Sequence, residues 1–140
     1  MEDNFNLKRF IDAQSNTYQK ALGEIQKGRK ESHWMWYIYP QYKGLGRSNI
    51  SIKYAITSQA EAEDYWNHPV LGLRLIEITE AFLLIENKTA YDILGEPDNF
   101  KIKSSMTLFD AIQNESDIFD KVLNKYFGGQ RCQKTLNSLK

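Results

Sequence analysis

Four aromatic residues and a histidine crowd into positions 33–39, where the chain reads His33-Trp34-Met35-Trp36-Tyr37-Ile38-Tyr39. Rings of this kind offer large flat surfaces that stack on a nucleobase, a nicotinamide or a flavin-like ring. His33 adds an imidazole whose ordinary pKa lies near neutrality, which is what a general acid or base requires. As an extended segment, the run would set His33, Met35, Tyr37 and Tyr39 on one face and Trp34, Trp36 and Ile38 on the other. A short buried helix is the other geometry that so short a run allows. The plainer use of the same rings is to fill a core, and of the histidine to satisfy neighbouring polar groups.

A second constellation follows at Gly44-Leu45-Gly46-Arg47-Ser48. Glycines such as Gly46 let backbone approach a ligand closely, and Arg47 offers a two-pronged fork for phosphate or carboxylate. Ser48 has the type and place of a helix N-cap, whose free amides would favour an anion. The lysine and spacing of a P-loop are missing, so a tight turn with a bracing arginine explains the string equally well. Gln41 and Tyr54 flank it and could read an amide or ribose hydroxyl.

A third lies at Lys101-Ile102-Lys103-Ser104-Ser105-Met106-Thr107. Ser104 or Ser105 reads as the cap of a helix beginning there, with Lys103 beside it, which would make a second anion-friendly terminus. Thr107 and Asp110, three apart, share a face of that helix. Asp110 is the carboxylate that could work with His33. His68 precedes Pro69 and reads as a brace at a helix start.

Several chemistries are excluded by type and spacing. Two histidines and one cysteine, without a His-Glu-x-x-His or Cys-x-x-Cys, predict no metal site. The nucleophile elbow and the dinucleotide glycine fingerprint are absent, and no cofactor is expected. Cys132 follows Arg131, which would lower a thiol pKa, yet an ordinary half-buried thiol is the simpler reading.

The elements that must carry these residues follow from periodicity. Leu7, Phe10, Ile11, Tyr18, Leu22 and Ile25 predict a helix from about Asn6 to Lys27, stopped by Gly28. A short helix follows Ser48. Ser58 with Glu61 starts another to about Asn67. Pro69 opens a helix to about Ile85, with Leu71, Leu75, Ile76 and Leu83 inward. Further helices are expected over Thr89–Leu94, from Ser104 or Ser105 through Ile112, over Asp117–Phe127 and over Lys134–Leu139, with Glu96-Pro97-Asp98-Asn99 as a turn. The expected fold is all-α: one single-domain bundle of about seven or eight helices over 1–140, with an extended or irregular aromatic segment near 33–40.

The chain has 140 residues with 18 basic and 18 acidic side chains. That length supports one core, and the charge balance gives no general attraction to nucleic acid or to an anionic membrane. No apolar run reaches the ~20 residues of a membrane span. The acidic start Met1-Glu2-Asp3-Asn4 lacks the features of a signal peptide, and a lone cysteine suits a reducing compartment, so a cytoplasmic protein is expected. The oligomeric state cannot be read from these features.

The strings Phe10-Ile11-Asp12-Ala13-Gln14, Ser32-His33-Trp34-Met35-Trp36, Tyr39-Pro40-Gln41, Gly44-Leu45-Gly46-Arg47-Ser48, His68-Pro69-Val70-Leu71-Gly72, Lys103 to Phe109 and Phe127-Gly128-Gly129 occur in one chain. In these strings the chain resembles the domain-of-unknown-function family 1810. They span most of the chain. The resemblance implies a mostly helical single domain and no settled activity, and it implies an acidic residue in many members near Cys132. A more distant likeness is to the NADAR superfamily, associated with ADP-ribose and riboflavin-precursor chemistry, through Met106 to Phe109 and Thr135-Leu136.

Taken together, the residues predict a pocket for an anionic aromatic small molecule such as a nucleotide or an ADP-ribose-like compound. Trp34, Trp36 and Tyr39 would hold the ring, Arg47 with a helix terminus the anion, and His33 would serve as acid or base in hydrolysis or transfer. The alternative is a non-catalytic module that docks a protein or peptide on the 33–39 aromatic face.

Overall fold

The computed structural model describes residues 3–139, so Met1 and Glu2 of the acidic start lie outside the described residues. Ten helices are present among them: α1 Lys8–Ser15, α2 Tyr18–Gln26, α3 Met35–Ile38, α4 Asn49–Lys53, α5 Gln59–Asn67, α6 Leu71–Leu84, α7 Ala90–Leu94, α8 Asp98–Ile112, α9 Ile118–Phe127 and α10 Gln133–Ser138. The all-α expectation holds, with more and shorter helices than the seven or eight anticipated. An isolated parallel bridge joins Tyr42 to Ile56. In it Ile56 donates to the Gln41 carbonyl and Lys43 to the Ile56 carbonyl, both at 2.9 Å.

Local chemistry sets most boundaries. The Ser48 and Ser58 hydroxyls accept from the amides of Ser51 and Glu61, and Thr89 forms a reciprocal capping box with Asp92. His68 Nδ1 accepts from Val70 and Leu71 at 3.0 and 3.2 Å, bracing the start of α6. Gly128 ends α9 with φ +59°. On α6 the fully buried face is Leu71, Leu75, Ile78 and Phe82, while Ile76 and Leu83 are half-buried.

Two expectations are corrected. The long first helix is two, broken at Asn16 and Thr17, where the polar Ser15-Asn16-Thr17 run favours local turn bonds over helix continuation. The helix placed after Ser104 begins instead at Asp98. Gly95 turns the chain with φ +76°, and Pro97, which needs no amide partner, leads into the first turn. Ser104 and Ser105 are therefore mid-helix and buried, not caps. Their small side chains let α8 pass through the middle of the molecule, packed against α5, α7, α9 and α10.

The core is one contiguous cluster. A run of aromatic contacts crosses it from α1 to α9: Phe10 meets Tyr65 edge-on at 5.1 Å, Tyr65 meets Phe109 at 5.5 Å, and Phe109 meets Phe119 at 5.8 Å. Such pairs add about 0.5–1.5 kcal/mol each beyond burial. At the α5–α6 corner a Cβ on Gly72 would come within 2.1 Å of the Trp66 carbonyl oxygen, so only glycine fits.

Candidate functional site

Of the two geometries open to the aromatic segment it takes the short helix, a single turn α3 in place of the extended or irregular run expected near 33–40, so the alternation of faces that an extended run would give does not occur. Burial sorts the rings instead: Trp34 and Tyr39 are buried, Trp36 and Tyr37 half-buried, and His33 exposed. Buried polar groups fix the turn from three sides. Glu24 of α2, 5% exposed, accepts from the amides of Glu31 and Ser32, the Ser32 hydroxyl and Trp34 Nε1 at 2.6–3.0 Å. Burial pushes its carboxyl up, but the four donors outweigh burial and hold it at about 2. Gln14 of α1 donates to the Tyr37 carbonyl at 2.7 Å and accepts from Arg74 at 3.3 Å. Tyr39 donates to the Ile78 carbonyl at 2.9 Å, and burial raises its hydroxyl pKa.

One face of α3 borders a hollow of about 80 Å³ whose rim includes His33, Trp36, Lys30, Asp98 and Lys101. Lys30 reaches this place because its amide donates to the Ile93 carbonyl at 2.7 Å. Asp98 and Lys101 come from the first turn of α8. The Asp98 carboxylate is shared: Lys30 Nζ lies 2.9 Å from one oxygen and Lys101 Nζ 3.0 Å from the other. Two ammonium groups against one carboxylate leave an excess positive charge in a partly enclosed place, where charge is screened less than on open surface. Lys101 Nζ also stands 4.3 Å from the Trp36 ring centre, a cation–π contact.

Beyond Trp36 lies a second hollow of about 240 Å³, walled by Trp36, Tyr42, Tyr54, Leu45 and Ile52, with Gln41 at its inner edge. The Tyr42–Ile56 bridge anchors one side. Arg9 and Glu61 anchor the other: Arg9 donates to the carbonyls of Lys53 and Ala55 at 2.7 and 2.9 Å and pairs with Glu61 at 2.7 Å. Glu61 in turn accepts from the Thr57 amide and hydroxyl at 2.9 Å. The roof is the Gly44-Leu45-Gly46 loop. A Cβ on Gly46 would meet Ser51 Cβ at 2.6 Å and Trp36 Cη2 at 2.8 Å, so glycine there permits close packing against the chain's own side chains rather than the approach to a ligand that the sequence suggested.

The remaining expected residues lie elsewhere or do other work. Arg47 and Ser48 are exposed and border neither hollow; Ser48 caps α4, whose five residues are too short for a strong dipole. Asp110 faces Arg131 at 3.2 Å, away from the rim that holds His33. Arg131 also pairs with Asp120. Ser104 meets the Thr135 hydroxyl at 3.0 Å, Thr107 accepts from the Cys132 amide at 3.0 Å, and Ser105 is fully buried, so these three pack α8 against its surroundings. Lys103 borders a separate open depression with Arg131 and Cys132. Met106, Phe109 and Thr135 are likewise buried packing residues.

The sequence reading missed Lys30, Asp98 and Lys101 as a group, and Glu24 and Gln14 as holders of α3. Charged residues in a turn gave no periodic signal; a buried-helix position occupied by Glu24 was the available hint. Among the described residues no three His, Cys, Asp or Glu side chains converge on a metal position, and no helix is long and apolar enough to cross a membrane.

Comparison with known proteins adds family and fold. The family model described as "Protein of unknown function (DUF1810)" matches residues 4–139. A crystal structure of a conserved hypothetical protein from Mycobacterium tuberculosis is similar over 98% of each chain, with 40% identity and a TM-score of 0.97. No curated protein matches. The likeness to the NADAR superfamily finds no support in these comparisons.

Proposed function

This chain belongs to the DUF1810 family of proteins of unknown function, and we propose that it binds a small anionic molecule carrying a planar ring, such as a nucleotide or an ADP-ribose-like compound. The observation that carries this reading is the position of Trp36, whose ring is the wall shared by a cation-lined hollow and an aromatic-walled one. Neither hollow alone reaches the ~300 Å³ at which pockets for drug-sized ligands begin. The smaller has room for an anionic group and the larger for a ring, so one ligand lies across Trp36 with its anion against Lys30 and Lys101. These lysines take the part that the sequence gave to Arg47.

Of the proposed hydrolytic or transfer machinery, His33 stands at the anion's rim as the acid–base group, and Asp110 has no part because Arg131 holds it. Binding is therefore the core of the proposal. The rival reading, a peptide-docking face at 33–39, has thinner support: Trp34 is 1% exposed and Tyr39 fully buried, both hydrogen-bonded within the fold. A reducing, cytoplasmic setting is part of the proposal, and a single free cysteine suits it.

A thermal-shift screen of nucleotides, sugar phosphates and flavin precursors tests the proposal. A ligand at 100 times its Kd stabilises the fold by about 2.7 kcal/mol, which raises Tm by roughly 5–10 °C. The shift should shrink with added salt and in Lys101→Gln. No shift with any compound of these classes contradicts the proposal.

A further inference from the structure

Lys30, Asp98 and Lys101 keep only 8, 14 and 20% of their side-chain surface open, and no other residue lining the smaller hollow carries a permanent charge. Each lysine is held on two sides. Lys30 lies between Asp98 and the Trp34 ring, and Lys101 between Asp98 and the Trp36 ring. Asp98 is held as well, because it stands in the first turn of the 15-residue α8, where the helix dipole favours a carboxylate. An incoming anion therefore joins this triad and does not replace its carboxylate. An ammonium has three donors, and each lysine gives one to Asp98, so both keep donors for a second oxyanion.

We infer that the smaller hollow selects a singly charged anion, a phosphate esterified on both sides or a sulfate ester, and that Asp98 sets this limit. Two positive charges already face one negative charge. A monoanion brings the count to zero, whereas the dianion of a terminal phosphate leaves one negative charge unmatched in a partly enclosed place. The cost of stripping water from an ion rises with the square of its charge, while its attraction to a single net positive charge rises only in proportion. The second charge of a dianion also faces the Asp98 carboxylate across the same two ammonium groups, where screening is weak. The inference rests on the anion-binding part of the proposed function and assigns the charge class of that anion.

The test is a proton–nitrogen NMR titration of the full chain with methyl phosphate, methyl sulfate and dimethyl phosphate, read at the amides of Lys30 and Lys101. It is run at pH 8 and one ionic strength. At that pH methyl phosphate carries two charges, methyl sulfate of nearly the same shape one, and an ordinary imidazole none. The triad carries a net charge of two in Asp98→Asn, one in the wild type and none in Lys101→Gln. The wild type is expected to bind methyl sulfate at least as tightly as methyl phosphate. Asp98→Asn should strengthen methyl phosphate about tenfold more than methyl sulfate, and Lys101→Gln should weaken methyl phosphate the more. A wild type that prefers methyl phosphate, or a preference that Asp98→Asn leaves unmoved, overturns the inference and leaves the proposed function standing. If Asp98→Asn does not fold, the wild-type order decides alone. Dimethyl phosphate binding as methyl sulfate does identifies the anion's class as a phosphodiester, and methyl sulfate binding without it identifies a sulfate ester. If none of the three anions moves either amide in any of the proteins, the anionic half of the proposed function falls and this inference falls with it.

Discussion

Trp34 and Trp36 stand two residues apart in one helical turn, in opposite surroundings. Trp34 is sealed in the core with its indole N–H given to Glu24, and Lys30 rests 5.2 Å from its ring. Trp36 is half-buried between two hollows, with Lys101 over its face and the Gly46 backbone against its edge. One indole fixes the turn and the other is presented by it. A composition-level statement that the segment is aromatic and ring-binding merges two jobs that the fold keeps apart.

Removing the support behind Trp34 should have the largest effect. Glu24→Ala orphans the Trp34 indole N–H, two backbone amides and the Ser32 hydroxyl at once. The expected loss is about 4 kcal/mol in urea unfolding, a Tm drop on the order of 15 °C. A loss under ~1 kcal/mol would mean that Glu24 does not hold the turn.

Acid should act through the same residue. The Glu24 carboxyl sits at about 2 in the folded chain against an ordinary value of 4.5. Its contribution is therefore fully present above pH ~4.5 and fades as pH falls toward 2. The urea midpoint should decline across that window by an equivalent on the order of 3 kcal/mol. Glu24→Gln, with no carboxyl to titrate, should flatten the decline, and an unchanged slope in that variant would assign it to other acids.

The two indoles should then separate under the same substitution. Trp34→Phe leaves a gap and removes one of the three donors to Glu24 Oε1, with an expected loss of roughly 2–3 kcal/mol. Trp36→Phe, at a half-open position, should cost under ~1 kcal/mol yet abolish the ligand-induced thermal shift. Equal stability losses would erase the contrast. The smallest effect is expected from Lys101→Gln, about 0.5 kcal/mol in stability, since Lys30 still faces Asp98. Its signature is a weaker salt dependence of anion binding.

What the sequence could disclose followed from local rules. Ser48, Ser58 with Glu61, Thr89, Gly95 and Gly128 mark helix ends because the cap lies within a few residues of what it caps. Ser104 misled because a serine pair looks like a cap wherever it falls, and only Gly95-Glu96-Pro97 upstream tells that the helix has already begun. The site was half legible. Gln41, Gly46 and Tyr54 border the second hollow, though without the Arg47 that the sequence grouped with them, and Trp36 borders both. The cation was misassigned because Arg47 sits beside the glycines in sequence, whereas Lys30 and Lys101 meet over Asp98 only through the packing of α7 and α8. Pairings between distant segments leave no periodic trace.

The central claim, one ligand astride Trp36, is tested most directly by comparing uridine monophosphate with its two halves in calorimetric titrations at fixed ionic strength. If the hollows serve one molecule, the nucleotide binds far more tightly than uracil or phosphate, and Trp36→Phe removes the advantage. A nucleotide that binds no better than its stronger half would contradict the account.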